Sequence, residues 1–197
     1  MSTIHKSQVA HPVLVEDDVV TFATARKALA ALRIMFGFTF LWAFFDKLLA
    51  LGFHTGVMTD PATGATTTDR FGDAAWINGG SPTEGFLTYG TKGPFAEFFQ
   101  SFAGAAWADW LFMLGLLGIG VALTLGAGMR LAAITGALMY VLMYAAVMLP
   151  ENNPVLDDHL IGAMSLVVLA LVLAGDTWGL GRWWAKRGIV QKHPILR

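Results

Sequence analysis

Residues 110–150 read WLFMLGLLGIGVALTLGAGMRLAAITGALMYVLMYAAVMLP. A single charge, Arg130, divides this stretch into two charge-free runs, 110–129 and 131–150. Each matches the roughly 20 apolar residues that a helix needs to cross a hydrocarbon core. The pair sets the fold class as an all-α integral membrane protein and directs attention to further spans on either side. Residues 160–180 form a third apolar run, with Asp176 and Trp178 at its far boundary. Residues 28–51 form a fourth, interrupted by Arg33, Asp46 and Lys47 around the apolar centre Ile34 to Phe45. A four-helix membrane bundle is therefore expected, with spans at 28–51, 110–129, 131–150 and 160–180.

The basic residues orient it, because Lys and Arg near span ends are retained in the cytoplasm. Lys6, Arg26 and Lys27 precede the first span, Arg130 lies between the second and third, and Arg182, Lys186, Arg187, Lys192 and Arg197 follow the fourth. The long loop 52–109 carries only Arg70 and Lys92. Four spans satisfy every segment at once. The expectation is a multi-pass cell-membrane protein with a cytoplasmic segment 1–27, a transmembrane domain 28–180 and a basic cytoplasmic tail 181–197. The acidic Glu16, Asp17 and Asp18 among the first residues argue against a removable signal peptide.

Composition agrees. Of 197 residues, 55% are hydrophobic and 14% charged, outside the balance of soluble domains. A net charge of −1 gives no clustered cationic excess for nucleic acid. The absence of cysteine excludes disulfides, thiolate nucleophiles and cysteine-ligated clusters or zinc. Redox chemistry would need a bound organic cofactor or haem, and His54 and His159 are poor material for the latter. No glycine-rich nucleotide loop stands in the right context, so neither nucleotide nor metal is expected.

Trp107, Trp110, Trp178, Trp183 and Trp184 fall at span ends, the depth that indole rings favour. Gly115, Gly118, Gly120, Gly126, Gly128 and Gly136 lie along the central spans and predict close helix packing. In the loop, the run Thr59-Asp60-Pro61-Ala62-Thr63-Gly64 reads as a turn that closes a hairpin. Gly93-Pro94 followed by Phe95, Phe98, Phe99 and Phe102 reads as a short interfacial helix. With Phe71, Trp76, Phe86 and Tyr89 nearby, the loop reads as an ordered aromatic cap.

Charges within spans are costly and are candidates for function. At the inner level, Arg33 and Asp176 are expected to form an ion pair that fixes two spans together. At the outer level, Asp46, Lys47, Asp109, Glu151, Asp157, Asp158 and His159 share one layer. Trp42, four residues before Asp46, would floor that carboxylate. Polar groups over an apolar slot suit a quinone, which needs hydrogen bonds at its ring oxygens, a proton donor or acceptor, and lipid access for its tail. Carboxylates around His159 suit it to proton exchange. Tyr140 and Tyr144 on the third span would line the lower slot. The plainer alternatives are that Asp158 and His159 cap the fourth helix, that Lys47 neutralises Asp46 or Asp109, and that the tyrosines are core packing.

The first span, with Arg33, Gly37, Phe40, Trp42 and Lys47, resembles the DoxX family. So do the runs Asn153-Pro154-Val155-Leu156-Asp157-Asp158-His159, Ala174-Gly175 and Gly179-Leu180. Within the loop, Trp76-Ile77-Asn78-Gly79-Gly80-Ser81-Pro82 and Gly93-Pro94-Phe95 belong to the same likeness. It covers about Leu29 to Trp184 and is nearest the DoxD-like branch, described as a membrane subunit of thiosulfate:quinone oxidoreductase. The resemblance implies a four-helix bundle that passes electrons from thiosulfate to a membrane quinone, with a small extracytoplasmic partner subunit completing the site. On that reading Lys47, Asp46, His159 and Asp109 are the catalytic candidates, and Trp42, Tyr140, Tyr144 and Asp158 contact the quinone. The alternatives are a non-catalytic anchor or scaffold of a redox complex and, last, a small-solute transporter; a homo-oligomer is compatible with each.

Overall fold

The computed structural model describes residues 13–60, 62–150 and 153–197. The turn residue Pro61, the acid Glu151 and the N-terminal Lys6 lie outside the described residues. In chain order the elements are α1 (Glu16–Val19), α2 (Ala23–Leu49), β1 (Val57–Thr59), β2 (Thr66–Thr68), α3 (Ala96–Gln100), α4 (Ala106–Leu125), α5 (Met129–Ala146), α6 (Asp158–Leu171), α7 (Gly181–Ala185) and α8 (Gly188–Lys192). Short 3-10 turns cover Trp76–Asn78 and Pro194–Leu196, and a π-helical turn covers Phe86–Gly90.

Three helices, α2, α4 and α5, are long and apolar enough to cross a membrane. Their outward faces expose Met35, Phe38, Leu111, Leu114, Leu131 and Leu138. Water would penalise so many bare apolar side chains, whereas lipid solvates them. The helices begin earlier than expected: α2 at Ala23, five residues before Ala28, and α4 at Ala106 rather than Trp110. The α4–α5 connection is a tight turn, with Gly126 and Gly128 at φ 71° and 72°. These are left-handed conformations in which glycine carries no Cβ penalty. Arg130 consequently lies in the first turn of α5 rather than between spans.

The fourth expected span is helical over only part of its length. The apolar run 160–180 does not stay helical: α6 has 14 residues and stops at Leu171. At 1.5 Å per residue it is about 21 Å long, short of a hydrocarbon core. Residues 172–180 form successive turns, with Leu173 and Trp178 in the left-handed region at φ 57° and 51°. The cause is the side chain of Arg33, described below.

α2 packs along α4, and α5 packs along α6, with α4 against α5 between the pairs. Glycines make these approaches. A Cβ on Gly37 would come within 2.7 Å of the Thr124 backbone nitrogen, and one on Gly120 within 3.0 Å of the Leu41 nitrogen. Gly136 faces Leu166, and Gly162 faces the Tyr140 ring. The core between the helices consists of Phe40, Phe44, Met113, Leu116, Ile119, Leu123, Met129, Leu166 and Leu169 with small alanines.

The loop after α2 is a structured cap. β1 and β2 pair antiparallel, Val57 opposite Thr68, as the turn signal predicted. Asp60 closes the turn by accepting from the Ala62 N–H (2.8 Å) and the Thr63 hydroxyl (2.7 Å). Phe98, Phe99, Phe102 and Trp107 stack edge to face around α3. The Lys92 N–H donates to the Ala146 carbonyl (2.8 Å), tying the cap to the end of α5. Both described terminal segments meet at the opposite end. There the Leu180 N–H reaches the Leu125 carbonyl (2.8 Å) and Arg130 reaches Pro194 (2.9 Å).

Candidate functional site

The buried charges gather at the two ends, and each has a definite set of partners. Asp46, 2% exposed near the end of α2, accepts from the backbone N–H groups of Phe53 (3.2 Å) through one oxygen. Its other oxygen accepts from those of His54 (3.2 Å) and Thr55 (2.8 Å). These bonds fold the chain sharply back where α2 ends at Ala50, whose φ is 48°. Asp109, in the first turn of α4, does equivalent work for the later loop. Its Oδ1 accepts from the Ser81 hydroxyl (2.9 Å), the Thr83 hydroxyl (2.6 Å) and the Thr83 N–H (3.2 Å). The two carboxylates are clamps on the cap.

Lys47 is half-buried, with its ammonium 6.0 Å from the centre of the Phe112 ring. It forms no direct ion pair among the described residues, and of the two acids expected to neutralise it, Asp46 acts on it through its charge alone. His159 Nδ1 lies 2.6 Å from Asp157 Oδ2. Asp157, not Asp158, caps α6, accepting from the Leu160 N–H at 3.2 Å. Asp158 is exposed. Burial works to raise the Asp157 carboxyl, but the hydrogen bonds from His159 and the Leu160 N–H outweigh it and hold the group below the ordinary carboxylate range. Asp157, Asp158 and His159 offer three ligand-type atoms within 4.8 Å of one another. Two of the three residues are already engaged with each other and with the helix cap.

The tyrosines divide. Tyr140 packs edge-on against Phe40 (5.5 Å between centroids), Phe36 (6.5 Å) and His159 (6.2 Å), joining α5 to α2 and α6. Tyr144 instead donates to the carbonyls of Pro154 (3.1 Å) and Val155 (3.3 Å), holding the α5–α6 connection. Trp42 stacks on Phe38 and meets edge-on Phe53, the residue whose N–H donates to Asp46. The outer layer is thus several local arrangements; no hydrogen bond or ion pair among the described residues joins Lys47 to His159.

The inner end is built on Arg33, which is fully buried. Nε donates to the Ala174 carbonyl (3.0 Å). One terminal nitrogen donates to the carbonyls of Leu123 and Thr124 (2.9 Å), and the other to those of Thr177 (3.3 Å) and Trp178 (3.1 Å). A guanidinium has five N–H donors, and here five carbonyls receive them. Two are orphan acceptors at the C-terminal end of α4, where the helix dipole also favours a cation. The other three belong to the turns after α6, which explains why 172–180 does not continue the helix.

The expected Arg33–Asp176 ion pair is therefore corrected. Arg33 has no donor left, and Asp176 accepts from the Glu16 N–H (2.9 Å) and from Arg197 (3.1 Å). Sequence reading missed this arrangement. The acid run Glu16-Asp17-Asp18 is α1, a strap across the terminal end. Arg26 (3.0 Å) and Arg182 (2.7 Å) both reach Asp17. Glu16 is buried, with Oε2 accepting from the Thr177 hydroxyl (2.6 Å) and Oε1 without a hydrogen-bond partner among the described residues. Burial pushes the Glu16 carboxyl up; the Thr177 hydrogen bond opposes this, and nearby Asp176 adds to it. The signal that could have revealed the strap is charge complementarity between residues 16–18 and the basic tail.

A cavity no larger than about one water lies beside this end, lined by Gly126, Gly175, Asp176 and Arg197 among others. No family model matches the chain, and neither a curated protein nor a solved structure does so.

Proposed function

We propose that this chain is a four-span membrane subunit of a quinone-linked oxidoreductase that acts as its anchored scaffold. The observation that carries the scaffold role is that Asp46 and Asp109 each hold three loop backbone or hydroxyl donors. A carboxylate holding three N–H or O–H donors is a positioning group, poorly placed to exchange protons with a substrate. The association with redox chemistry, and with thiosulfate as electron donor, rests on the resemblance to the DoxX family. α6 and the turns of 172–180 together make the fourth crossing, with the non-helical backbone satisfied by Arg33, as irregular backbone at membrane depth requires. Both termini then share the cytoplasmic side. The cysteine-free chain permits a direct check: Thr63→Cys and Gln191→Cys should label with an impermeant maleimide from opposite sides of the membrane. Labelling from one side would overturn the four-span topology.

A second reading, quinone contact in the outer leaflet, is favoured by one observation. Lys47 forms no ion pair among the described residues, although the neighbouring Asp46 charge acts on it, and the His159–Asp157 pair packs against Tyr140, whose ring also touches Phe40. These groups could offer a hydrogen bond and a proton to a quinone ring. The two readings part on one experiment, thiosulfate-dependent quinone reduction by membranes carrying wild type or Lys47→Met. Unchanged turnover at unchanged abundance supports the scaffold; loss of turnover at unchanged abundance, with loss of co-purified quinone, supports direct contact.

A further inference from the structure

The basic segment 181–197 does more than follow the last span. It is folded across the terminal end: Ala185 and Val190 are buried, the Trp184 indole donates to the Leu196 carbonyl (2.5 Å), and Arg130 donates to that of Pro194. Docking of this kind fixes which side chains face outward. On α7, α8 and the two residues between them, those include Trp183 and Ile189 together with Lys186, Arg187 and Lys192, all exposed. Arg187 lies flat over Trp183, 3.7 Å from the ring centroid, so the indole carries a fixed cation on its face. The side chains of Lys186 and Lys192 enter no hydrogen bond or ion pair among the described residues. The nearby Asp17 is engaged by Arg26 and Arg182.

Water alone would not suit an exposed Trp and Ile, and a hydrocarbon core would not suit three cations. Headgroup depth suits both. We propose that α7 and α8 form a docked collar that selects anionic phospholipid headgroups. The indole and Ile189 seat at the acyl boundary, and Lys186, Arg187 and Lys192 contact the phosphates. Charge complementarity identifies the occupant, since these cations form no ion pair among the described residues while anionic lipid surfaces attract basic segments beside a membrane span. The inference rests on the four-span placement but not on any redox role.

The test uses the full-length protein in vesicles of phosphatidylcholine containing traces of spin-labelled phosphatidylglycerol or spin-labelled phosphatidylcholine. Wild type should restrict the anionic label at least about twofold more than the neutral one, as expected for close cationic contacts. Lys186→Gln/Arg187→Gln/Lys192→Gln should bring that ratio toward one; should it not assemble, Lys186→Gln and Lys192→Gln singly should each lower it. A wild-type ratio of one, or a ratio that survives in the variants, overturns the proposal. Loss of selectivity in millimolar inorganic phosphate would make the collar a free-anion site and overturn it as well. A nitroxide on Gln191→Cys tests placement separately: accessibility typical of bulk water would remove the headgroup setting and overturn the collar, whereas the four-span reading stands or falls on the sidedness of labelling.

Discussion

The two ends of the molecule handle buried charge in opposite ways. At the terminal end one guanidinium collects five backbone carbonyls. At the cap end two carboxylates collect backbone N–H groups and hydroxyls. Both are answers to one problem, which is irregular backbone beside an apolar medium where unpaired polar groups are expensive. The difference lies in helix polarity. Arg33 meets the carbonyl end of α4 and Asp109 its N–H end, so both agree with the dipole of that helix. Asp46 sits near the carbonyl end of α2 and must overcome an unfavourable dipole with three N–H bonds.

Breaking the guanidinium side should have the largest effect. Arg33→Met orphans five carbonyls at once and should cost about 3 kcal/mol or more, enough to lower abundance and thermal stability in detergent sharply. Arg33→Lys keeps the charge but has only three donors on a single nitrogen, so it should recover only part of the loss. Full stability of either variant would show that the 172–180 turns hold themselves.

Gly37 lies one turn from Arg33 on α2 and allows the contact with Thr124. Gly37→Ala places a methyl against the Thr124 hydroxyl and also against its backbone, which cannot rotate away, and should cost about 1–3 kcal/mol. Thermal unfolding of the purified protein measures it.

The carboxylate side should be weaker and unequal. Asp46 uses both oxygens, so Asp46→Asn turns an amide NH2 toward backbone N–H groups and should cost about 2 kcal/mol. Asp109 uses Oδ1 for all three bonds, so Asp109→Asn can keep its geometry and should cost about 1 kcal/mol. Hydrogen exchange of residues 53–55 and 81–84 reads the two clamps separately, and a reversed order would sink this account of them.

The smallest expected effect is acid dependence of the α1 strap. Glu16 titrates above the ordinary carboxylate value of 4.5 when folded, first because of burial. An acid whose folded value is raised favours the bound state most below its unfolded value. That stabilisation is lost as pH rises through the raised folded value. Exchange protection of residues 13–20 should therefore fall as pH climbs from about 4.5 through that range, and Glu16→Gln should flatten the profile. Asp157 has the opposite sign: held below 3.8, it stabilises the α6 cap above that value and loses the contribution only as pH falls through its depressed folded value.

How much was legible follows from residue chemistry. The spans around Arg130 and along 28–51 could be read because apolar length is a local property of the chain. The hairpin closed by Asp60 and the close glycine contacts were legible for the same reason. The Arg33–Asp176 pairing was misread because opposite charges at one depth suggest an ion pair, whereas carbonyls carry no sequence signal. The outer layer was misread as one site because depth along a helix says nothing about azimuth. Asp46 and Asp109 turned to their own loops, and Tyr144 turned to the α5–α6 connection.

Composition and hydrophobic runs by themselves determined that this chain takes lipid as a solvent, since apolar side chains over a membrane-spanning length have no comparable alternative. Tertiary structure alone decided what the charged residues do. A buried charge takes whichever partners the folded backbone brings within about 3 Å. Residues as far as 183 positions apart, such as Leu14 and Arg197, become neighbours only once the helices have packed.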